Sequence, residues 1–300
     1  MSTSRAGQLV LTLDCDDQIG IVHAVARFLV AHRCNIVDSE QFDEAASGRC
    51  YLRIQASYPR AMPMPALPAA FEATAETFGM NWILTDIREH TQTIIMVSKF
   101  NHCLSDLLER WSNGQLPIEI PAIVSNHRYL ESIAQRYDIP FIHIPITKET
   151  KPQAEADLLT LVEEHHVELV VLARYMQVFS ADLCEALPNR VINIHHSFLP
   201  GFNGARPYHQ AFNRGVKLVG ASAHYATADL DEGPIIEQEV FRVDHRSTPE
   251  DLVVAGREAE RAALARAVRW HAERRVIVNG RRTVVFNWSQ PGVFAASGGT

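Results

Sequence analysis

The sequence lacks three features that would each assign the protein to a broad class. It has no uninterrupted run of about 20 apolar residues, which is the length that a membrane-spanning helix needs. Its formal net charge of −7 provides no basic footprint of the kind that nucleic-acid-binding proteins carry. Its first residues, MSTSRAGQ, lack the apolar core of a secretory signal. We therefore expect neither a membrane nor a nucleic acid as a partner.

Cysteine is scarce, and its spacing argues against a disulfide framework. The five cysteines are odd in number, widely spaced and without a Cys-x-x-Cys pair, a pattern typical of reduced packing thiols in a cytoplasmic protein. Hydrophobic residues make up 47% and charged residues 21% of the 300 residues. This composition is that of an ordinary globular chain that can bury one large core or two modest ones.

The first 86 residues form a self-contained pattern of alternating strands and helices. Strands are expected at residues 9–13, from residue 35, at 49–56 and at 81–85, with helices at 19–30 and 67–78. The order βαββαβ predicts a ferredoxin-like unit over residues 1–86. The polar residues 87–93 are expected to be a linker.

Residues 94–287 alternate between short apolar strands and amphipathic helices, which predicts a doubly wound, mostly parallel sheet with helices on both faces. A helix is expected to begin at Thr248-Pro249 and to run to about Glu273. A short hairpin is expected around Asn279-Gly280, and the Gly-, Ser- and Ala-rich residues 288–300 are expected to be a mobile tail. The predicted strands of this domain are 94–97, 122–124, 141–144, 169–173 and 191–194.

The strand at 191–194 leads into a concentration of polar side chains. Asn193 and His195 alternate with apolar neighbours, so they point to the same face of the strand. The strand breaks at Pro200-Gly201, which places both residues near its C-terminal end, where ligands of open α/β sheets bind. The alternative is a polar pair that only satisfies nearby backbone groups.

A turn further along the chain, at residues 229–234, adds two carboxylates, Asp229 and Asp231. An amide donor, an imidazole and a carboxylate are the groups needed to direct a nucleophile onto a carbonyl and to stabilise the oxyanion that forms. Spacing alone does not choose between the two aspartates.

The ordered motifs resemble those of the folate-dependent formyltransferases, and in detail those of the formyltetrahydrofolate deformylases within that family. The resemblance rests on Asn-x-His-His-Ser-Phe-Leu-Pro, Gly-Ala-Arg-Pro-Tyr-His and Leu-Asp-Glu-Gly-Pro, and extends over residues 9–286. It implies that Asn193, His195 and Asp231 act on the formyl group of 10-formyltetrahydrofolate. Asp231 would take a proton from water directly or through a relay, while His195 and Asn193 would stabilise the oxyanion. The products would be tetrahydrofolate and formate for purine synthesis.

The same resemblance implies a pterin pocket beyond the strand at 169–173. Its substrate-binding residues would be Arg174, Tyr175, Met176, Gln177, Val178 and Phe179 on one side, with Thr227 and Asp229 on the other. Core packing is an equally acceptable interpretation for Met176 and Phe179.

One absence bears on the acceptor of the formyl group. Glycinamide ribonucleotide formyltransferases carry a glycine-rich stretch after the first strand, whose backbone amides hold a phosphate. This chain has no glycine between Gly79 and Gly114, so close backbone approach to a phosphate is disfavoured. Phe100, Asn101 and His102 are expected to fill that space and to leave room for water. Formyl transfer to a small amine and a non-catalytic folate sensor remain the alternatives.

We expect no resident metal or cofactor. His195 and His196 are adjacent on a strand and face opposite ways, and no His-Glu-x-x-His motif accompanies them. The folate is expected as a substrate rather than a cofactor.

The turn at residues 16–20 and the downstream Asn35-Ile36-Val37 resemble an ACT domain. That resemblance implies a homo-oligomer with an amino-acid effector, such as glycine or methionine, at Asp16, Gly20 and Asn35. The turn leads into a helix N-terminus, where backbone N–H groups favour a carboxylate. The alternative is a unit that serves only in oligomerisation.

Overall fold

The computed structural model describes residues 6–59, 64, 66–201 and 207–287. The predicted tail at 288–300, and the Gly-Ala-Arg part of one motif, lie outside these residues. The chain divides into two compact units, one centred on the residues before Glu89 and the other on those from Glu89 to Glu273.

The first unit folds in the predicted order. Its strands are β1 (Ala6–Asp16), β2 (Asn35–Glu44), β3 (Arg49–Pro59) and β4 (Asn81–Asp86), and its helices are α1 (Ile21–Ala31) and α2 (Ala66–Phe78). The strands pair antiparallel in the order β2-β3-β1-β4, so the ferredoxin-like prediction is confirmed.

The core of this unit follows from the period of two in its strands. Alternate apolar residues of β1 are buried against apolar residues of α1 and α2, which recur at helical spacing. Representative members are Leu9, Leu11, Leu13, Val25, Leu29 and Phe71. Among the described residues, β2 pairs with β3 alone and is therefore an edge strand.

The second unit contains the remaining strands and helices. Its strands are β5 (Thr91–Val97), β6 (Ile118–Glu119), β7 (Ile123–Ser125), β8 (Phe141–His143), β9 (Leu169–Leu172), β10 (Val191–His195), β11 (Leu218–Tyr225) and β12 (Ile235–Arg242). Its helices are α3 (His102–Ser112), α4 (Glu131–Gln135), α5 (Lys151–Glu164), α6 (Ala181–Ala186), α7 (Pro207–Arg214) and α8 (Pro249–Ala272). The chain then forms a hairpin of β13 (Val276–Asn279) and β14 (Arg282–Val285).

The large sheet has the order β12-β11-β10-β9-β5-β7-β8. The five strands from β10 to β8 run parallel, while β11 and β12 are antiparallel additions. The strands that follow β5 in sequence, β7 and β8, lie on one side of it, whereas β9 and the later strands lie on the other side. The carboxyl ends of β5 and β9 therefore border the crevice in which ligands of such sheets bind. The doubly wound prediction is confirmed.

Two details differ from the sequence-based expectations. The expected linker at 87–93 is too long, because β5 already begins at Thr91. Threonine is polar but β-branched, and Thr93 is buried with its hydroxyl donating to the Thr91 carbonyl at 2.9 Å. At the other end, residues 274–277 and 284–287 group with the first unit, whereas the predicted domain ran unbroken to residue 287.

The long helix begins as expected. Thr248 accepts a hydrogen bond from the Asp251 amide at 3.1 Å, and the Asp251 carboxylate accepts one from the Thr248 amide at 2.9 Å. This reciprocal capping box precedes Pro249 at the first helical position. No described helix of the protein is long and apolar enough to span a membrane.

Candidate active site

Strand pairing brings Asn193 and His224 side by side. Asn193 on β10 is the antiparallel partner of His224 on β11, and its amide nitrogen lies 3.1 Å from His224 Nε2. His224 Nδ1 lies 2.9 Å from the Tyr225 carbonyl oxygen, which can only accept, so Nδ1 carries the proton. With its proton on Nδ1, His224 accepts at Nε2 from Asn193. This fixes the amide orientation of Asn193 and leaves its second N–H for a ligand.

The last residue of β10 is paired with the predicted carboxylate. His195 Nδ1 lies 3.2 Å from Asp231 Oδ2. Because the carboxylate accepts, a neutral His195 carries its proton on Nδ1 and a lone pair on Nε2. His195 Nε2 is buried and has no hydrogen-bond partner among the described residues. This nitrogen is thus available to a substrate or a water molecule.

Asp231 is held in its charged form. Burial alone would raise its pKa, but the hydrogen bond from His195 outweighs burial and lowers the pKa well below the usual range. The second carboxylate oxygen lies 3.7 Å from His224 Nε2. Asp231 also adopts a left-handed backbone conformation with φ of 58°, which is uncommon for a residue other than glycine and typical of functional sites.

The Leu-Asp-x-Gly-Pro motif has a steric basis. A Cβ atom on Gly233 would lie 1.8 Å from the Tyr225 carbonyl oxygen, so only glycine allows the turn to pass the end of β11. The Tyr225 amide donates to the Pro234 carbonyl at 2.9 Å and closes the turn. This contact sets the direction from which Asp231 approaches His195.

Asp229 does not take the predicted substrate-binding position. Its side chain is exposed and is not among the residues lining the pocket. Its carbonyl instead accepts from the Thr227 hydroxyl at 3.0 Å and from the Glu232 amide at 3.3 Å. Asp229 therefore shapes the turn with its main chain, and the pocket receives the carboxylate of Asp231.

The Ser-Phe-Leu-Pro segment after β10 is anchored by one hydroxyl. Ser222 of β11 donates to the Ser197 carbonyl at 3.1 Å and accepts from the Leu199 amide at 3.0 Å. Gln238 of β12 reaches the Leu199 carbonyl at 3.1 Å. These bonds fix the chain directly beyond His195.

A pocket of about 220 Å³ lies beside these groups. All six residues from Arg174 to Phe179 line it, as do Asn193, His195, Thr227 and Asp231. Met176 and Val178 are about half exposed, so they are not core residues, whereas Tyr175 is buried and its ring lies 6.2 Å from that of Phe179. Burial raises the pKa of Tyr175 and keeps its hydroxyl neutral.

The pocket wall is tied to the end of β5. The Met176 amide donates to the Ser98 hydroxyl at 3.0 Å, and that hydroxyl donates to the Asn126 side chain at 2.7 Å. Ser98 and Asn126 are both buried. The wall is therefore held by the sheet rather than by solvent-exposed contacts.

The predicted acceptor residues separate in the structure. Phe100 and Asn101 are exposed, and neither they nor His102 line this pocket. Asn101 is the residue before α3, whose first turn directs it to solvent. His102 points inward, and its Nε2 lies 2.8 Å from Glu260 Oε2. Phe100 lies beneath the Arg174 guanidinium, with 5.4 Å between Cζ and the ring centroid.

The sequence analysis missed four polar residues in and around the site: His196, Tyr208, His224 and Glu260. His224 was recognisable as a polar residue within the apolar run of β11, five residues before the turn at residues 229–234. Glu260 lies in the middle of a long helix, where glutamate is normally solvated, and no local pattern marks it. His196 lines the pocket, and burial above all lowers its pKa to about 4, so it is neutral near pH 7.

Two groups of possible metal ligands occur among the described residues. Each has three ligand atoms within 4.8 Å of one another: His102, Cys103 and Glu260, and Asp17, Asp43 and Cys50. Glu260 is already paired with Arg174, whose Nε lies 3.3 Å from Oε2. An arginine at this distance disfavours a cation there, and the expectation of no resident metal stays a prediction.

The predicted effector residues lie at two ends of the first unit. Asp16 ends β1 beside Gly20, which has φ of 103° and precedes α1. Asp16 is in register with Arg49 of β3, whereas Asn35 is in register with Ser57 of the same strand. Eight residues of strand separate these positions by about 26 Å. Asp16 also pairs with Arg49 at 3.1 Å. A single copy therefore does not bring Asn35 to the turn.

Comparison with known proteins gives a consistent assignment. The Formyl transferase family model matches residues 91–268. The formyltetrahydrofolate deformylase of Corynebacterium sp. (strain P-1) is 54% identical over 277 residues, which are 92% of this chain and 97% of the relative. A formyltetrahydrofolate deformylase structure from Burkholderia mallei has 51% identity and a TM-score of 0.90, covering 94% of this chain and 100% of its own.

A more distant structural relative matches only part of the chain. Glycinamide ribonucleotide transformylase 1 from Symbiobacterium toebii is 30% identical with a TM-score of 0.62, and the match covers 66% of this chain and 95% of the relative. The deformylases, by contrast, match over nearly the whole length. The chain therefore belongs to the formyl transferase family and, within it, to the formyltetrahydrofolate deformylases.

Proposed function

We propose that the protein hydrolyses 10-formyltetrahydrofolate to formate and tetrahydrofolate. The proposal rests on the way in which the His195 side chain is held. Its Nδ1 is held by Asp231, while its Nε2 is buried without a protein partner in a residue that lines the pocket. A base held in this way by a carboxylate is suited to take a proton from water. The relatives named formyltetrahydrofolate deformylase support the same reaction.

In the proposed mechanism the water oxygen bonds to the formyl carbon while His195 Nε2 takes the water proton. The carbonyl oxygen becomes an oxyanion, and the Asn193 N–H that is not used by His224 is the donor placed to stabilise it. The protonated His195 then gives its proton to N10 as the carbon–nitrogen bond breaks. Formic acid leaves and ionises to formate and a proton. The low pKa of Asp231 makes it a weak base, so the relay through His195 is favoured over direct proton uptake.

The pocket geometry supports recognition of a flat, polar ring. The apolar residues Leu172, Tyr175 and Ile194 line the pocket together with the rest of residues 174–179, and the opposite side is lined by Ala226, Thr227, Leu230 and Asp231. A small number of convergent polar groups within an apolar pocket is typical of cofactor-sized ligands. We place the pterin between these two walls and the formyl group at His195.

The decisive experiment incubates the purified protein with 10-formyltetrahydrofolate and measures formate and tetrahydrofolate together. Equimolar release in the absence of any amine is expected. Release that requires an amine would establish formyl transfer instead. Binding of the folate without any turnover would establish a sensor.

We further propose that the first unit binds an amino acid between two copies of the chain. The edge strand β2 exposes Ile36, Val37 and Phe42 and leaves one row of backbone groups without a neighbouring strand among the described residues. Such an edge favours pairing with another strand. An antiparallel β2–β2 pair would bring Asn35 of a second copy to the Glu44 end of the first, close to Asp16 and Gly20. The site would then need both copies, and glycine or methionine is the expected ligand.

The products of the proposed reaction suggest its role in the cell. Formate released by the enzyme would supply purine synthesis, and the reaction would balance the pools of one-carbon folates. A cytoplasmic location is favoured by the five cysteines, all of which are free and buried.

A further inference from the structure

A buried cluster lies on the far side of His196 from the catalytic groups. Glu260 of α8 is 2% exposed and is contacted by side chains from three other parts of the second unit. His102 Nε2 lies 2.8 Å from Oε2, Arg174 Nε lies 3.3 Å from the same oxygen, and the Tyr208 hydroxyl donates to Oε1 at 3.2 Å. We call His102, Arg174, Tyr208 and Glu260 the acceptor plug.

The plug adjoins the catalytic pocket through two of its members. Arg174 lines the pocket itself. Tyr208 contacts it through His196, whose ring centroid lies 6.4 Å from that of Tyr208 and 5.3 Å from that of His195. The plug therefore borders the pocket next to His195 and His196.

Specific features of the chain keep the plug in place. Arg174 has φ of 64°, a left-handed conformation that is strained for an arginine, and its guanidinium rests on the Phe100 ring. A Cβ on Gly256, one helical turn before Glu260, would lie 2.1 Å from the Tyr208 ring, so glycine there admits the tyrosine. The strained backbone of Arg174 and the close packing of Tyr208 persist because the surrounding contacts hold both side chains in place.

The charges of the plug disfavour a protonated amine. Burial alone would raise the pKa of Glu260, but the hydrogen bond from His102 and the charge of Arg174 lower it, so the carboxylate is ionised and fully engaged. It is not available to bind an ammonium group. Among the described residues that line the pocket, Arg174 is the one arginine or lysine, and its charge repels protonated amines.

We propose that the acceptor plug excludes amines from the crevice beside His195 and that Arg174 is the residue that selects hydrolysis over formyl transfer. The inference rests on the proposed hydrolase function. Both reactions break the bond between the formyl carbon and N10 and return a proton to N10. In hydrolysis the carbon gains the water oxygen. In transfer it gains an amine nitrogen, and the amine supplies the proton. Only the size and charge of the nucleophile distinguish them.

The test measures product partition in the full-length protein supplied with 10-formyltetrahydrofolate and glycinamide. The formyl carbon is isotopically labelled, and N-formylglycinamide and formate are quantified in the same sample. Arg174→Gly removes the side chain and relieves the left-handed strain. It should raise the ratio of formyl amide to formate by about 10- to 100-fold, the discrimination that one steric or polar contact commonly provides. Glu260→Gln, which releases Arg174 and His102, should shift the ratio in the same direction.

Two further variants make the result specific. Arg128→Gly removes an exposed arginine from a short helical turn away from the pocket and should leave the ratio unchanged. Phe100→Ala removes the ring beneath Arg174 from a half-exposed position and should raise the ratio even if the Glu260 variant fails to fold. A merely structural role would lower both products together without changing their ratio.

The possible outcomes distinguish failure of the inference about the plug from failure of the proposed hydrolase function. If the wild-type protein releases formate and the Arg174 and Phe100 variants lose activity without forming any amide, the plug does not select the acceptor. A wild-type ratio of amide to formate as high as that of the Arg174→Gly protein would also overturn it. If the wild-type protein releases no formate, the proposed hydrolase function fails first, and the inference fails with it.

Discussion

Asp86 in the first unit and Asp231 in the second are both aspartates with lowered pKa values, yet their surroundings differ. Asp86 accepts from the Tyr58 hydroxyl, from the Arg88 amide at 2.9 Å and from Arg88 Nε at 3.0 Å. Asp231 is paired with His195 at 3.2 Å, and the far nitrogen of that ring has no protein partner among the described residues. Hydrogen bonds satisfy the first cluster within the protein. The second ends in an atom that faces a pocket.

The difference teaches how to separate structural from functional carboxylates. A lowered pKa alone marks both, because donors stabilise a carboxylate wherever it lies. Function is indicated by what the donors still offer to a ligand. Arg88 and Tyr58 direct their N–H and O–H groups to Asp86, whereas His195 retains a lone pair, and Asn193 retains an N–H, for a substrate.

The largest expected effect separates the two aspartates by activity. Asp231→Asn should lower the rate of formate release by about 100- to 10,000-fold, since the amide no longer fixes the Nδ1 proton of His195. Folate binding should survive, because the shape is kept. Asp86→Asn is the matched control and should leave turnover unchanged. An Asp231→Asn protein that keeps more than about a tenth of the activity would remove Asp231 from the mechanism.

The next effect tests the groups that Asp231 and His224 orient. His195→Ala and Asn193→Ala should each lower kcat far more than they raise KM, because both act on charge that develops after the nucleophile attacks. The loss for Asn193 should be about 3 kcal/mol, which is typical of one oxyanion donor. Asn113→Ala, at an exposed position after α3, is the control. Damage confined to KM would make both residues ground-state binding groups.

Much of this site was predictable from local sequence, for reasons that these residues make clear. Asn193 and His195 share a face because of the strand period, and the Gly-Pro turn identifies Asp231 through the resemblance to known formyltransferases. The pocket wall at Arg174–Phe179 was predictable because it directly follows the apolar strand β9 in a pattern of alternating strands and helices. Such features depend on neighbours within a few residues.

The remainder depended on contacts between distant segments. Glu260 is 158 residues from His102, and no helical pattern shows that it is buried. The exposure of Phe100 and Asn101 followed from the start of α3, which turns only His102 inward. In the first unit, the strand order was predictable, but the 26 Å of strand between Asp16 and Asn35 required the register of β3, at about 3.3 Å per residue.

A smaller effect tests the structural role of Asp86 through pH. The side-chain hydrogen bond from Arg88 is the main cause that lowers the pKa of Asp86 from 3.8 to about 2. The stabilisation is therefore present above pH 4 and is lost as the pH falls from about 4 towards 2. Its size should be about 1 to 2 kcal/mol, because Arg88 is largely exposed and solvent screens the pair.

Denaturant unfolding of wild type and Asp86→Asn at pH 7 and near pH 2.5 measures this dependence. The variant should be less stable at pH 7, and the difference should shrink in acid. Glu72→Gln, on the exposed face of α2, should show neither effect. A difference that stays constant with pH would assign the loss to packing around Tyr58 rather than to charge.

The smallest expected effect asks whether the first unit has a function beyond structure. If glycine or methionine binds there, millimolar amino acid should change the rate of formate release, and calorimetry on the full-length protein should detect the binding.

Gly20→Ala should blunt that response with catalysis intact, since alanine is disfavoured at φ of 103°, and Asn35→Ala should act likewise. Gly114→Ala is the matched control: Gly114 also has a left-handed φ, of 69°, and belongs to the second unit, so its replacement carries a similar cost of about 1 kcal/mol without changing the turn of the first unit. Asn35 lies too far from Gly20 in one copy, so loss of the response in both variants would support a site shared by two copies. If no amino acid binds or alters the rate, the first unit serves oligomerisation only. Its role would then be structural, like that of its Asp86 cluster.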